Sequence, residues 1–174
     1  MVELISQGYQ LAITHGNGPQ VGNLLIQQMA GMEKGIAPLP LGVLNAATEG
    51  TMGYMIEQSL QNKLIKSNIK KEVITIATQV LVDRDDPSIQ NPSKPVGPFY
   101  TKEQAEVLKA EYGWTIVEDA GRGYRQVVPS PIPKEIIPFH TIKQLVEENK
   151  IVIACGGGGI PVYREADGTL EGVD

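Results

Sequence analysis

Two glycine-rich segments carry the chemistry most visible in this chain: Thr14-His15-Gly16-Asn17-Gly18-Pro19-Gln20 and Ala154-Cys155-Gly156-Gly157-Gly158-Gly159-Ile160. Each follows an apolar run, so each reads as a turn at the carboxyl end of a strand. A turn without bulky side chains lets backbone N–H groups converge on an anion, which is how proteins hold phosphates. By spacing alone, Gly16 to Gln20 reads equally as a phosphate or carboxylate site and as a tight turn. The case for Gly156 to Gly159 is stronger, because four successive glycines give up backbone entropy that a structural turn seldom requires. The Walker spacing is absent, and Gly16, Gly18 and Gly22 miss the dinucleotide fingerprint by one residue.

Other chemically capable residues have plainer readings. Lys94 lies between prolines in a polar stretch, where a surface lysine without catalytic duty is the usual case. Arg122 and Arg125 flank Gly123 and could bind anions, but pairing with Glu118 and Asp119 is the favoured reading. His15 reads as a hydrogen-bonded residue at a strand end, His140 as a helix-start residue, and Cys155 as a small core residue. The run Asp83, Asp85, Asp86 lacks the remaining ligands of a calcium loop and reads as turn chemistry, and no metal ligands are assigned.

These residues must be positioned by regular elements. Val2, Leu4 and Ile5 before Gly8 read as the last turns of a helix, Tyr9 to Thr14 as a buried strand, and Val21 to Ala30 as a helix whose amino end points at the first glycine turn. A longer helix is expected over Leu41 to Lys66, its small residues permitting close packing, and a strand over Val73 to Val82. Asp83 to Pro98 is too irregular for a core element. A helix near Lys102 to Tyr112 and strands near Thr115 to Val117 and Arg125 to Val128 make this region a small subdomain, with Pro129 to Pro133 as a stiff return. A helix over Thr141 to Asn149, a strand over Ile151 to Ala154 and a hairpin over Val162 to Val173 about Asp167-Gly168 complete the chain. Strands alternating with helices predict an α/β fold, a three-layer αβα sandwich with a mainly parallel sheet and ligands beyond the carboxyl ends of its strands.

The 174 residues, 41% hydrophobic and 20% charged, suffice for a domain with a real core. A net charge of −5 with no basic stripe argues against nucleic acid as a partner. One cysteine excludes an internal disulfide framework. The start lacks the features of a signal peptide and no apolar run approaches a membrane span, so the expected location is the cytoplasm, with no membrane partner.

Four motifs in order, Thr14 to Asn23, Asn91 to Tyr100, Gly121 to Pro131 and Cys155 to Pro161, closely resemble the carbamate kinases of the amino acid kinase family, and the likeness runs from about Gly8 to Asp174. The resemblance implies reversible phosphoryl transfer between carbamoyl phosphate and ADP, giving ATP and carbamate, with Mg2+ accompanying the nucleotide and a setting in arginine breakdown. By similarity, Gly16, Asn17 and Gly18 contact the carbamoyl phosphate end, Gly157, Gly158 and Gly159 close the opposite wall, and Lys94 is a mobile catalytic cation folding over the phosphoryl group. The resemblance also implies a homodimer and divides the chain into a carbamoyl phosphate-binding lobe, 1–82 and 132–174, and a protruding subdomain, 83–131. Complete family members have a strand and glycine–asparagine turn upstream, and a Lys-Asp motif and nucleotide-binding lobe downstream. The chain therefore reads as an amino-terminal lobe holding most of the carbamoyl phosphate cradle and little of the ADP site. Two alternatives stand beside a working kinase: another amino acid kinase with a different acceptor, and a non-catalytic ligand-binding or dimerising lobe.

Overall fold

A computed structural model describes residues 1–173; Asp174, the end of the expected 132–174 segment, lies outside the described residues. The elements run α1 (Val2–Ser6), β1 (Ala12–Ile13), α2 (Gly18–Met32), α3 (Leu41–Lys66), β2 (Val73–Thr75), β3 (Gln79–Leu81), α4 (Pro87–Gln90), β4 (Lys94–Tyr100), α5 (Lys102–Tyr112), β5 (Ile116–Glu118), β6 (Tyr124–Val128), β7 (Glu135–Ile136), α6 (Phe139–Glu147), β8 (Ile151–Ile153), a single 3-10 turn (Gly156–Gly158), β9 (Ile160–Arg164) and β10 (Leu170–Gly172).

The centre is β8, whose residues are all buried because both faces are covered. Ile151 and Ile153 point into a cluster with Ile5, Leu60 and Leu64 of α1 and α3. Val152 and Ala154 point the other way, into a cluster with Ile142, Leu145 and Val146 of α6. Alternation along one apolar strand thus builds the αβα sandwich directly. Strand β8 lies between β1 and β2, parallel to both, with Ile13 opposite Ile153 and Thr75 opposite Ile153 on the other side.

The expected single strand over Val73 to Val82 is two strands in different sheets. Strand β2 pairs with β8, and after a break at Ile76 to Thr78, β3 pairs with β9, again in parallel. Strands β7 and β10 extend this second sheet in antiparallel fashion, so the sheet system is mixed. The expected buried strand over Tyr9 to Thr14 is also shorter: only Ala12 and Ile13 pair, and Tyr9 is exposed, because β1 is an edge with a neighbour on one side.

The stretch Asp83 to Pro98 is more ordered than its composition suggests. Asp86 caps α4 through Oδ1, which accepts from the Ser88 N–H at 2.9 Å, and its Oδ2 accepts from the Ile132 N–H at 3.1 Å, clasping the outgoing and returning chain together. Lys94 opens β4 in an antiparallel sheet of order β4-β6-β5, paired with Val128. Helix α5, with a Thr101/Gln104 capping box, packs on this sheet around Tyr100, Ala105, Leu108 and Ile116. Helix α2 joins the two parts: Val21 and Leu25 meet Leu44 of α3, with Val96 of β4 packed against them.

Helix α3 lies close on β2 because Gly53 has no side chain; a Cβ there would collide with Thr75 Cγ2. Alanine at Gly53 is expected to cost about 1–3 kcal/mol, since overpacking outweighs the helix-propensity gain. Alanine at Gly50, which has nothing within 4 Å of its Cβ position, is expected to be neutral or to stabilise by up to about 1 kcal/mol. Urea unfolding of the two variants checks both signs.

Candidate functional site

Because β1 and β8 are parallel neighbours, the turns that follow them emerge side by side, and the Gly157 N–H donates to the His15 carbonyl at 2.8 Å. The second turn is tight for reasons of packing. A Cβ on Gly156 would strike the His15 ring and press on Glu49 Cγ; one on Gly157 would strike the Asn17 amide; one on Gly159 would strike Val80. Gly157, Gly158 and Gly159 also have φ of +67°, +98° and +90°. Three of the four glycines are therefore demanded by packing and Gly158 by its backbone conformation alone, which corrects the expectation that a structural turn has little use for them. Gly158 faces open space, and so do Gly16 and Gly18, whose backbones would accept any residue. At Gly18 the missing side chain leaves room on a cavity wall.

Asn17 stands at the N-cap position of α2 but does not cap it. Its orientation is set by a relay. Asn45 Nδ2 donates to the Gly159 carbonyl at 2.8 Å, leaving Asn45 Oδ1 to accept from Asn17 Nδ2, which also donates to Thr48 Oγ1 at 2.8 Å. The Thr48 hydroxyl gives its proton to the Asn45 carbonyl, 2.7 Å away. Donors and acceptors are thereby assigned all along the chain. The first turn of α2 is left with backbone donors at Gly18 and Gln20 that bond to no protein group among the described residues.

A cavity of about 610 Å³ opens in front of these turns. Asn17, Gly18, Gly157, Gly158 and Gly159 line one wall, and Lys94 and Arg125 of the antiparallel sheet line another. Gly16 is not on the wall. Lys94 is exposed at the start of β4, anchored through its backbone in the ladder with Val128 instead of riding on an irregular loop. Arg125, expected to be structural, is partly so: Nη2 donates to the Gly97 carbonyl at 3.0 Å, the guanidinium sits 5.1 Å from the Phe99 ring, and Asp119 Oδ2 is 3.7 Å away. Its Nε is nevertheless buried without a partner among the described residues. Arg122 is the closer partner of Asp119, at 2.8 Å, and points out to solvent.

Beneath the second turn lies a polar layer. Glu49 is 2% exposed and Thr78 is fully buried. Glu49 Oε2 accepts from the Thr78 N–H at 2.7 Å, and its Oε1 has no partner. Burial pushes the Glu49 carboxyl up to about 7, with the Thr78 hydrogen bond pulling against it. Burial, then the Glu49 charge, also raise the Cys155 thiol, partly offset by the Thr78 hydroxyl. Reading the sequence alone misses Asn45, Thr48, Glu49 and Thr78. The available signal is that Asn45, Thr48 and Glu49 are spaced by three and four residues along α3, which puts a polar stripe on its buried side.

No protein-family model matches the chain. It is 53% identical over 175 residues to a carbamate kinase of Pyrococcus furiosus, covering 100% of this chain and 55% of the relative. It is 52% identical over 174 residues to carbamate kinase 2 of Enterococcus faecalis, with the same coverage. The fold superposes on a carbamate kinase of Giardia lamblia bound to AMP-PNP with a TM-score of 0.89 and 42% identity, over 99% of this chain and 54% of that one. The chain spans about half the length of the curated relatives it matches.

Replacing Gly157 by Ala is expected to cost about 2 kcal/mol or more, because strain and collision act together. Gly18→Ala is expected to leave stability within about 0.5 kcal/mol and to weaken phosphate binding about tenfold by filling the cavity wall. Thermal melts paired with phosphate titrations separate the two behaviours.

Proposed function

The chain is homologous to the carbamate kinases along its whole length, and on that premise we propose that it contributes the carbamoyl phosphate side of a reversible phosphoryl transfer between carbamoyl phosphate and ADP. The observation that carries the reading is a cavity lined both by the glycine turns and by Lys94 and Arg125. Phosphoryl transfer asks for alignment of donor and acceptor and for neutralised charge on the moving group, not for a covalent partner. In this reading the unengaged backbone N–H of Gly18 at the start of α2 donates to the phosphoryl oxygens, Gly157 to Gly159 shape the wall beside it while their own N–H groups are held by the His15, Cys155 and Gly156 carbonyls, and Asn17 faces the carbamoyl group. Gly16, in the turn between β1 and α2, does not reach the cavity wall. Lys94 supplies the catalytic positive charge, and Arg125 adds a second cation that sequence reasoning had set aside.

Among the described residues no three His, Cys, Asp or Glu side chains gather into a metal-binding group. These residues therefore do not form a magnesium cage. The reading assigns Mg2+ to the ATP and ADP phosphates, where a hard, slowly dehydrating cation is at home. The same reading takes 83–131 as a protruding subdomain, places the protein in the cytoplasm in arginine breakdown, and expects a homodimer. Exposed Tyr54 and Met55 on α3 support the last point, whereas Ile56 packs into the core. Among the described residues no helix is long and apolar enough to cross a membrane.

Calorimetry of the folded chain with carbamoyl phosphate is expected to detect binding, weakened at least about tenfold by Lys94→Met and by Arg125→Met. A folded chain that ignores carbamoyl phosphate, or variants that bind as the parent does, would overturn the reading. ATP formation from carbamoyl phosphate and MgADP, run beside the Pyrococcus furiosus enzyme, tests the catalytic half separately.

A further inference from the structure

The β2–β8 ladder stops at Thr75 and Ile153, the same two segments pair again as β3 and β9, and Thr78 spans the gap. Its Oγ1 accepts from the Cys155 N–H at 3.0 Å and donates to the Ile76 carbonyl at 2.7 Å, while its own carbonyl accepts from the Ile160 N–H at 2.8 Å. One residue thus holds both ends of the glycine turn. The remaining polar group of Thr78, its N–H, is taken by Glu49. Glu49 also touches the turn itself, its Cγ lying where a Cβ on Gly156 would reach within 3.0 Å. This carboxyl group is closed off from water, uses one oxygen, and keeps the other unpaired. Structural need alone leaves that second oxygen unexplained, since an unpartnered buried acceptor is costly.

We infer that Glu49 is a positioning residue for the glycine turn, and that the hold on an anion in the cavity beside the turn depends on whether this buried carboxyl group carries a charge; the second part rests on the anion-binding reading above. An ionised Glu49 and a bound anion would be like charges on two sides of one thin backbone turn, poorly screened by solvent. An anion arriving on the cavity side therefore favours the protonated carboxyl, and binding draws a proton onto Glu49. The sign follows from the raised value. The protonated form predominates below about 7, so the anion is held best there, and its affinity falls as pH rises through that value. Among the described residues, the titratable groups facing Glu49 are the Cys155 thiol on the turn and, across Gly156, the His15 imidazole. From α2 it is the uncharged Asn17 that reaches the turn, and Glu57, two turns further along α3, is engaged by the Thr75 hydroxyl.

Sulfate is the suitable probe, because its charge is constant where phosphate and imidazoles as a class titrate. Amide resonances of Cys155, Gly157, Gly158 and Ile160 are followed from about pH 5 to about pH 9, with sulfate affinity measured over the same range. In the unmodified chain the amides are expected to titrate with a midpoint near 7, and sulfate affinity to fall roughly threefold to tenfold across it. Both effects should vanish in Glu49→Gln and survive in His15→Gln and Cys155→Ser. Amides that do not titrate in the unmodified chain, or that titrate equally in Glu49→Gln, would overturn the positioning role, and the first of these needs no variant to fold. A sulfate affinity with the same pH slope in Glu49→Gln would overturn the coupling. If sulfate binds at no pH, the anion-binding reading and the coupling fall together, and the amide titration alone decides the positioning role.

Discussion

The architecture around the cavity hangs on one buried threonine. Parallel strands normally continue their ladders to the sheet edge, but here the β2–β8 ladder stops at Thr75 and Ile153, and the same two segments pair again as β3 and β9 from Gln79 and Ile160 after an excursion. A break of that kind inside a sandwich would leave backbone groups unpaired at a cost comparable to lost hydrogen bonds. Thr78 prevents this, because its hydroxyl and carbonyl substitute for the missing rungs. The glycine turn can then bulge toward the cavity while the layers behind it stay closed.

What results is a division of labour between backbone and side chains. On the wall made by α2 and the glycine turn, the unengaged backbone donors are those of the first turn of α2, the N–H groups of Gly157 to Gly159 being bonded within the protein, and this wall carries no cation of its own on the cavity. Positive charge comes from across the gap, from Lys94 and Arg125 on the antiparallel sheet. Fixed dipoles need no reorganisation to meet a developing charge, whereas cations on a separate sheet can neutralise it from the other side. Arg125 has both characters: stacked on Phe99 and bonded to Gly97 through one nitrogen, it keeps Nε free of any partner among the described residues.

Much of this was legible in the sequence where local physics decides the outcome. Helices α3 and α5 coincide with the segments Leu41 to Lys66 and Lys102 to Tyr112, because unbroken runs of helix-compatible residues set both, with a capping box fixing the start of α5. The two glycine turns were likewise found as chain segments. Neighbours distant in sequence were not legible. Nothing in Val73 to Val82 announces that Thr78 is needed by Cys155 and Ile160, some eighty residues on, so a β-branched run read as one strand. Asp83 to Pro98 looked irregular because its order comes from pairing with Val127 and Val128 and from the clasp of Asp86 on Ile132. The four glycines looked functional as a group. Their neighbours His15, Asn17, Glu49 and Val80 divide them into three demanded by packing and one open to the cavity. Local rules cannot make that division, since it depends on what other segments bring to within a few ångströms.

The uncapped amino end of α2 has a thermodynamic consequence. Asn17 spends its amide on Asn45 and Thr48, so the helix forgoes a cap that would contribute about 1 kcal/mol. That deficit lies in the folded form alone, and whatever occupies the free N–H groups removes it in the folded form alone. Ligand concentration and fold stability are therefore conjugate variables for this chain: each decade of ligand above its dissociation constant adds about 1.4 kcal/mol to unfolding. On the proposed reading, the melting temperature of the chain rises with the concentration of the anion that meets these N–H groups.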